Sequence, residues 1–455
     1  MVLAPPFPDD PSAATRHLCA GAYLDEDFRD TALREVYHRP GRAVALSHGF
    51  SLTPVLAHCL RARDASLIRD VAVTALVLGT LLVAPVAVLY AATVAVVFHA
   101  VVTRTPKSLI VATLVAAAFA AVVSTLPQAL DVSGLLLLLA LLVCAAAWCL
   151  WRQTQLDQFR PGRTTASLAQ NQRLREIDLL QYGNTAVHAG HNPFVGAGRV
   201  VDTWGLAQPL GTDPPFDAAE LVAHLQWHLG ALVGGPGTRT DQTIAGMTVT
   251  DRVHLAGTEV GNLDPITPPG LVADIIRRPT SPARHHLACQ VASWGGEVVT
   301  TVHIHAAVQA GALYLELTTT ALLPCPAGYR IVDLPEGAGL RSWFRALGDA
   351  VLLVPGMTVR APVNLVRALV DTGFPDKRPF TRERGLRLGL DHGARVAVRE
   401  IPVVEVDASI YPDISKHRRL IERRVMDAVV GFLEVKGADS AVCRAGVAAR
   451  IAMPA

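Results

Sequence analysis

The chain of 455 residues sets 41 lysines and arginines against 39 aspartates and glutamates, a balance that excludes a protein drawn as a whole to polyanions. Its 51% hydrophobic content is unevenly spread: residues 1–70 hold 8 basic and 9 acidic groups, 71–150 hold 2 and 1, and 151–455 hold 31 and 29. That partition predicts a membrane-anchored α+β protein: a cytosolic N-terminal helical segment over 1–70, a transmembrane block over 71–151, and a cytosolic α+β domain over 152–455 with a candidate subdivision near 334–340. Only Lys107, Lys377, Lys416 and Lys436 are lysines, a bias typical of a GC-rich bacterial genome. The seven cysteines form an odd set without a C-x-x-C pair, which supports neither a disulfide framework nor a zinc ribbon. The N-terminus MVLAPPFPDD lacks a basic and an apolar region, so no cleavable signal is expected.

Residues 12–37 have apolar side chains at helical spacing (Leu18, Tyr23, Phe28, Leu33, Val36) and are closed by HRPGR. A second helical pattern runs from Pro54 toward the anchor. Its arginines Arg61, Arg63 and Arg69 suit either anionic headgroups or packing on the large domain.

Three apolar runs follow: Val71 to Thr103, Leu109 to Ser124 and Gly134 to Trp151. About 20 apolar residues cross a bilayer, and Pro85 sits near the middle of the first run, where proline favours a break. Two helical hairpins are therefore expected, the first broken at Pro85. This arrangement gathers Arg61, Arg63, Arg69, Arg104, Lys107, Arg152, Arg160 and Arg163 on one side against no basic residue in STLPQALDVS, which places both termini in the cytoplasm of a multi-pass cell-membrane protein. The only candidates for an intramembrane ionisable group are His99, near the end of the first run, and Asp131, in the loop STLPQALDVS, so the block reads as an anchor more than a pore.

Beyond Trp151 a polar, arginine-rich linker leads into mixed patterns. GNTAVHAGHNPFVGAGRVVDTWGLAQPL contains strand-like stretches, FDAAELVAHLQWHLGAL reads as a helix capped by Asp217, and IAGMTVTDRVHLAGTEV reads as a hairpin or paired strands. RHHLACQVASWGGEVVTTVHIHAAVQAGALYLELTTTALLP divides into three alternating runs, an antiparallel β-meander. YPDISKHRRLIERRVMDAVVGFLEVKG reads as an amphipathic C-terminal helix with Asp413 as cap and Gly437 as stop.

GAGR at Gly196 to Arg199 lacks the rest of a dinucleotide fingerprint and reads as a tight turn; GGPG at 234–237 lacks a phosphate-binding lysine and reads as a helix end. His303 and His305, two apart on one strand, place both imidazoles on one face, and His286 can join them from the paired strand. A metal site from these residues is chemically feasible, while a packed or solvated histidine face is the favoured reading. His188 and His191 lie in a loop and read as structural or surface residues, and His58 and Cys59 as core. Asp274 with Arg277 and Arg278, and the arginine-rich stretch 382–400, read as solvated faces with anionic lipid as the alternative. The expected function is an integral membrane protein presenting a cytosolic binding, scaffolding or regulatory domain. A membrane-bound metal-dependent enzyme and a small oligomeric transporter or channel are the alternatives. The expected partners are the lipid bilayer, anionic headgroups and a protein partner or second copy. No cofactor is implied, and the absence of a basic domain or known module excludes nucleic acid.

Overall fold

The computed structural model describes residues 12–83, 132–163, 171–234, 241–260, 264–335, 339–373, 391–402 and 411–452, with isolated positions between 84 and 131. The expected break at Pro85, the run Leu109 to Ser124 and residues 382–390 of the arginine-rich stretch fall outside the continuously described residues.

The N-terminal segment forms two helices, α1 (Ala13–Leu24) and α2 (Glu26–Ala32), followed by a π-helical turn over Leu33–Tyr37. Ser12 caps α1 by accepting the amide of Thr15. Asp25 is extended and caps α2 through the amide of Phe28 at 2.9 Å, which is why one expected helix becomes two. All five apolar positions of the sequence pattern are buried.

α3 (Leu52–Val83) then runs unbroken from the domain into the apolar block, and α4 (Val132–Asp157) returns from it. Leu52, Val55, Leu56 and Ala62 of α3 share a core with Leu156 of α4, whereas Val73 packs with Leu137, Leu141 and Ala145. The two helices are thus antiparallel, rooted in the domain at one end. Arg63 meets His38 at 2.7 Å, and Arg69 reaches Glu26 at 3.3 Å and stacks over Trp148 at 4.5 Å. These two arginines pack within the protein.

α5 (Gln172–Leu180) leads to a six-stranded sheet: β1 (Thr185–His188), β2 (Arg199–Pro209), β3 (Met247–Ala256), β4 (Arg284–Ser293), β5 (Val298–Gln309) and β6 (Ala312–Leu322). Their order is β1-β3-β4-β5-β6-β2, with β1 parallel to β3 and all other pairs antiparallel, so the fold is α+β with a mixed sheet. The expected meander is β4 to β6. IAGMTVTDRVHLAGTEV, expected as a hairpin or paired strands, holds the single strand β3, because its partners are β4 and β1 and not its own second half.

One face of the sheet is apolar. Leu287, Cys289, Val302, Ile304, Leu315 and Leu317 are fully shielded by α6 (Ala218–Gly230), α7 (Pro269–Arg277) and α9 (Pro412–Val435). Each such leucine or isoleucine contributes about 1.5–3 kcal/mol by leaving water. Asp217 caps α6 as expected, accepting the Glu220 amide at 2.8 Å. Asp413 does not cap α9: it lies in the first turn, and Tyr411 occupies the cap with no side-chain bond. Gly437, at φ +69°, ends α9 as expected. Gln208 of β2 accepts the amides of Val442 and Cys443, fixing the start of the last helix, α10 (Ala441–Ala452).

A second core joins α1, α2, the root of α3, Phe159, α5, Cys325, Tyr329, Val332 and Val398. The segment before the apolar block and the chain after the sheet are therefore one packed layer. Between Val332 and this layer's final strap runs α8 (Gly339–Gly373), a helix absent from the sequence expectations, which packs on α3 and α4 through Ala346, Ala350, Val354, Met357 and Ala361. By length and composition three described helical stretches can cross a membrane: Leu52–Leu82, Leu135–Asp157 and Gly339–Val370.

Because Phe28 is 1% exposed in the shared core, Phe28→Ala is expected to destabilise the whole domain by about 3–5 kcal/mol. Urea titration with thiol labelling of Cys289, which lies in the other core, checks this. An unchanged labelling midpoint would make the N-terminal layer a separate unit.

Candidate functional site

The other face of the sheet is polar and buried. In the register, His286 of β4 stands opposite Arg252 of β3, and His303 of β5 stands between Ala288 of β4 and Thr318 of β6. Side chains opposite one another share a face, so His254, His286, His303 and His305 line one surface across three strands. The loop over 38–51 contributes His48, whose Nδ1 lies 2.8 Å from Gln290 Oε1. Phe194 closes over the rings, with centroids 4.4 Å from His303, 5.3 Å from His254 and 5.6 Å from His286.

The hydrogen bonds fix what these rings can do. His254 Nδ1 and His286 Nδ1 are 2.9 Å apart, so one donates and the other accepts. His305 Nδ1 donates to the carbonyl of His285 at 2.8 Å, and His303 Nε2 lies 3.1 Å from Thr320 Oγ1. His303 Nδ1 and Thr301 Oγ1 are buried with no hydrogen-bond partner among the described residues. Such atoms ordinarily bond to an enclosed water or small polar molecule. The sequence placed His303, His305 and His286 together, and so does the structure. Among the described residues, no group of three His, Cys, Asp or Glu side chains converges on a point that could hold a metal ion.

Burial pushes the imidazoles of His254, His286 and His303 well below the usual histidine range, reinforced by one another and by nearby arginines; His48 falls to about 3 for the same reason. The face is thus a set of neutral rings. Thiolate chemistry is also disfavoured, because burial raises the thiols of Cys289 and Cys325 to about 12 and of Cys443 to about 11.

Two other expectations resolve beside this face. The GAGR turn holds Gly196 and Gly198 at φ +95° and +93°, and a Cβ on Gly198 would meet Ala321 O at 2.1 Å, so only glycine fits. Both amides donate to one oxygen of Glu400 at 2.9 Å. The turn's anion site is filled by the protein's own carboxylate. Arg399, at the end of the arginine-rich stretch, is 3% exposed and donates to the carbonyls of Gly296 and Glu297. It is an internal strut. His58 is buried and lies 2.9 Å from the Tyr23 hydroxyl, and Cys59 is core. His188 bonds locally to Gly190 O, and His191 is exposed. Sequence reasoning missed His254, His48 and Phe194. Alternation through Thr250, Arg252 and His254 could have found the first; the other two arrive on loops whose placement only tertiary packing decides.

Above pH about 6.5 these histidines are neutral folded and unfolded; below it the unfolded chain binds protons that the native face refuses, so stability falls with pH. Between about pH 7.5 and 5 the unfolding free energy is expected to drop by up to about 1.4 kcal/mol per pH unit for each buried ring, less so in His303→Phe. Urea midpoints across that range check this, and a flat profile refutes it. Glu400→Ala, which leaves two buried amides without their acceptor, is expected to cost about 1–3 kcal/mol by the same measurement.

The family model of the AbeC-like domain matches residues 203–451. Comparisons with curated proteins and with solved structures find no match. The matched stretch, from β2 through α10, spans more than half of the chain and includes the histidine strands and α8, and the chain therefore belongs to the AbeC-like domain family.

Proposed function

We propose that this is an integral membrane protein that holds an α+β binding or regulatory domain at the cytosolic face of the cell membrane. The observation that carries the reading is the two-ended character of α3 and α4. One end of each is built into the domain core, while the other presents Leu78, Leu82, Leu135, Leu136, Leu139 and Val143 outward, with Leu82 86% exposed. An apolar surface of this extent is stable against lipid and costly in water. Basic residues near the roots of the helices, among them Arg63, Arg69 and Arg152, support the cytosolic side for the domain. A binding or regulatory role, in preference to catalysis, is supported by imidazoles that are enclosed and neutral and by thiols held protonated.

The full chain is expected to stay with the membrane through an alkaline carbonate wash, and a tag at residue 455 is expected to become accessible only once cells are opened. Release by carbonate, or labelling of the tag on intact cells, would overturn the proposal.

A further inference from the structure

α8 is long and apolar enough to cross a bilayer, yet its contacts place it elsewhere. Asp349 pairs with Arg152 at 3.5 Å, and Asn364 donates to Asp70 at 3.1 Å. Asp70 is the last polar residue before the apolar stretch of α3, and Arg152 is the first after that of α4. Both pins therefore lie at the rim where the paired helices leave the domain. In a crossing helix, residues 15 apart would differ in depth by about 22 Å, and one of the two would sit deep within the bilayer.

The chain on either side of α8 agrees with this. Before it, Tyr329 and Val332 are in the domain core; after it, His392 donates its amide to Gly257 O, and Ala394 exchanges bonds with Val187 and Ala189 at the sheet edge. Both flanks return to the same domain. If α8 crossed, residues 374–390 would have to cross back, and they carry seven charged side chains (Asp376, Lys377, Arg378, Arg382, Glu383, Arg384, Arg387). Bilayers reject such a segment.

The side chains of α8 fall into three sectors. At about 3.6 residues per turn, the buried positions from Ala346 to Ala361 span about 80°; the exposed apolar positions from Leu340 to Val370, Leu352 and Val363 included, span about 160° with Arg341 among them; and Arg345, Asp349, Arg360 and Arg367 span about 60°, meeting that flank at Val363. Asp349 is neutralised by Arg152, whereas Arg345, Arg360 and Arg367 are exposed and form no ion pair with another described residue. A helix with one apolar flank and one cationic flank suits the boundary between acyl chains and anionic headgroups.

We propose that α8 is an interfacial helix: it lies at the cytosolic rim of the anchor, sinks its apolar flank among the acyl chains, and binds anionic lipid headgroups through Arg345, Arg360 and Arg367. This rests on the anchoring reading above, and the test separates the two. Single cysteines at Leu340, Leu347, Val359 and Leu369, with Leu82 as the anchor reference, are introduced into the full chain in nanodiscs, and their depth is read by lipid-borne spin quenchers. The proposal expects shallow, similar depths at all four α8 positions and a deep Leu82.

Replacing an anionic bilayer of phosphatidylcholine and phosphatidylglycerol with phosphatidylcholine alone is expected to shift the four α8 labels toward water. So is R345Q/R360Q/R367Q in the anionic bilayer, by about fivefold in partition per arginine. Depths that descend to the midplane and rise again on the far side would make α8 a span and overturn the proposal. Water exposure of all four labels with Leu82 still deep would overturn it while leaving the anchor intact. A Leu82 label in water would remove the anchoring reading itself. Shallow depths that ignore both bilayer charge and the triple variant would overturn the headgroup assignment.

Discussion

The assembly turns on one carboxylate. Glu297, in the turn between β4 and β5, accepts from His17 Nδ1 of α1 at 2.7 Å and from the amide of Cys325 at 2.8 Å. The other nitrogen of His17 meets Asp333, which also pairs with Arg16. Beneath, Arg399 donates to the carbonyls of Gly296, Glu297 and Leu323. Burial alone would raise the carboxyl pKa of Glu297; its bonds to His17, the charge of Arg399 and the Cys325 amide outweigh that and hold it below the ordinary value. A buried ionic junction adds little net stability over an apolar one, but removing one partner leaves the rest stranded. Its value here lies in registration: four remote stretches of chain meet correctly or not at all.

That junction explains the asymmetry of the sheet. One face is closed by helices that follow it or lie within it in sequence, through apolar side chains that tolerate many packings. The opposite face is closed by loops, the far upstream one that carries His48 and the one between β1 and β2 that carries Phe194, and there the lining is threonine and histidine. Polar lining demands specific partners, and the structure supplies most of them: Gln290 to His48, Thr320 to His303, His286 to His254. His303 Nδ1 and Thr301 Oγ1 stay without a hydrogen-bond partner among the described residues.

How far the sequence foretold this depends on how local each cause is. The β4–β6 meander was legible because alternation and glycine turns are written within forty residues, and α6 was legible because Asp217 and its leucine spacing lie within a dozen. His303 and His305 on one face followed from strand periodicity. Lost were the causes that act across the chain. The hairpin expected within β3 was undone by β4, and the Asp413 cap by the extended backbone at Tyr411. α8 escaped because Pro355, Pro362 and four arginines obscure a stripe that makes sense only against α3 and α4. The cover of the histidine face escaped because loops carry no periodic signal.

The salt bridge between Arg16 and Asp333 joins residues 317 positions apart. During synthesis the first of them leaves the ribosome long before its partner exists, and the whole apolar block is made in between. The N-terminal helices, with Leu18, Phe28 and Leu33 destined for a shared core, must therefore wait without a partner while the apolar block is made. High sequence separation makes such closure slow, and exposed apolar surface makes the wait hazardous. On the anchoring proposed above, tethering by α3 would shorten the search, because helices seated in a membrane would confine the waiting helices and the arriving sheet to one patch of its surface.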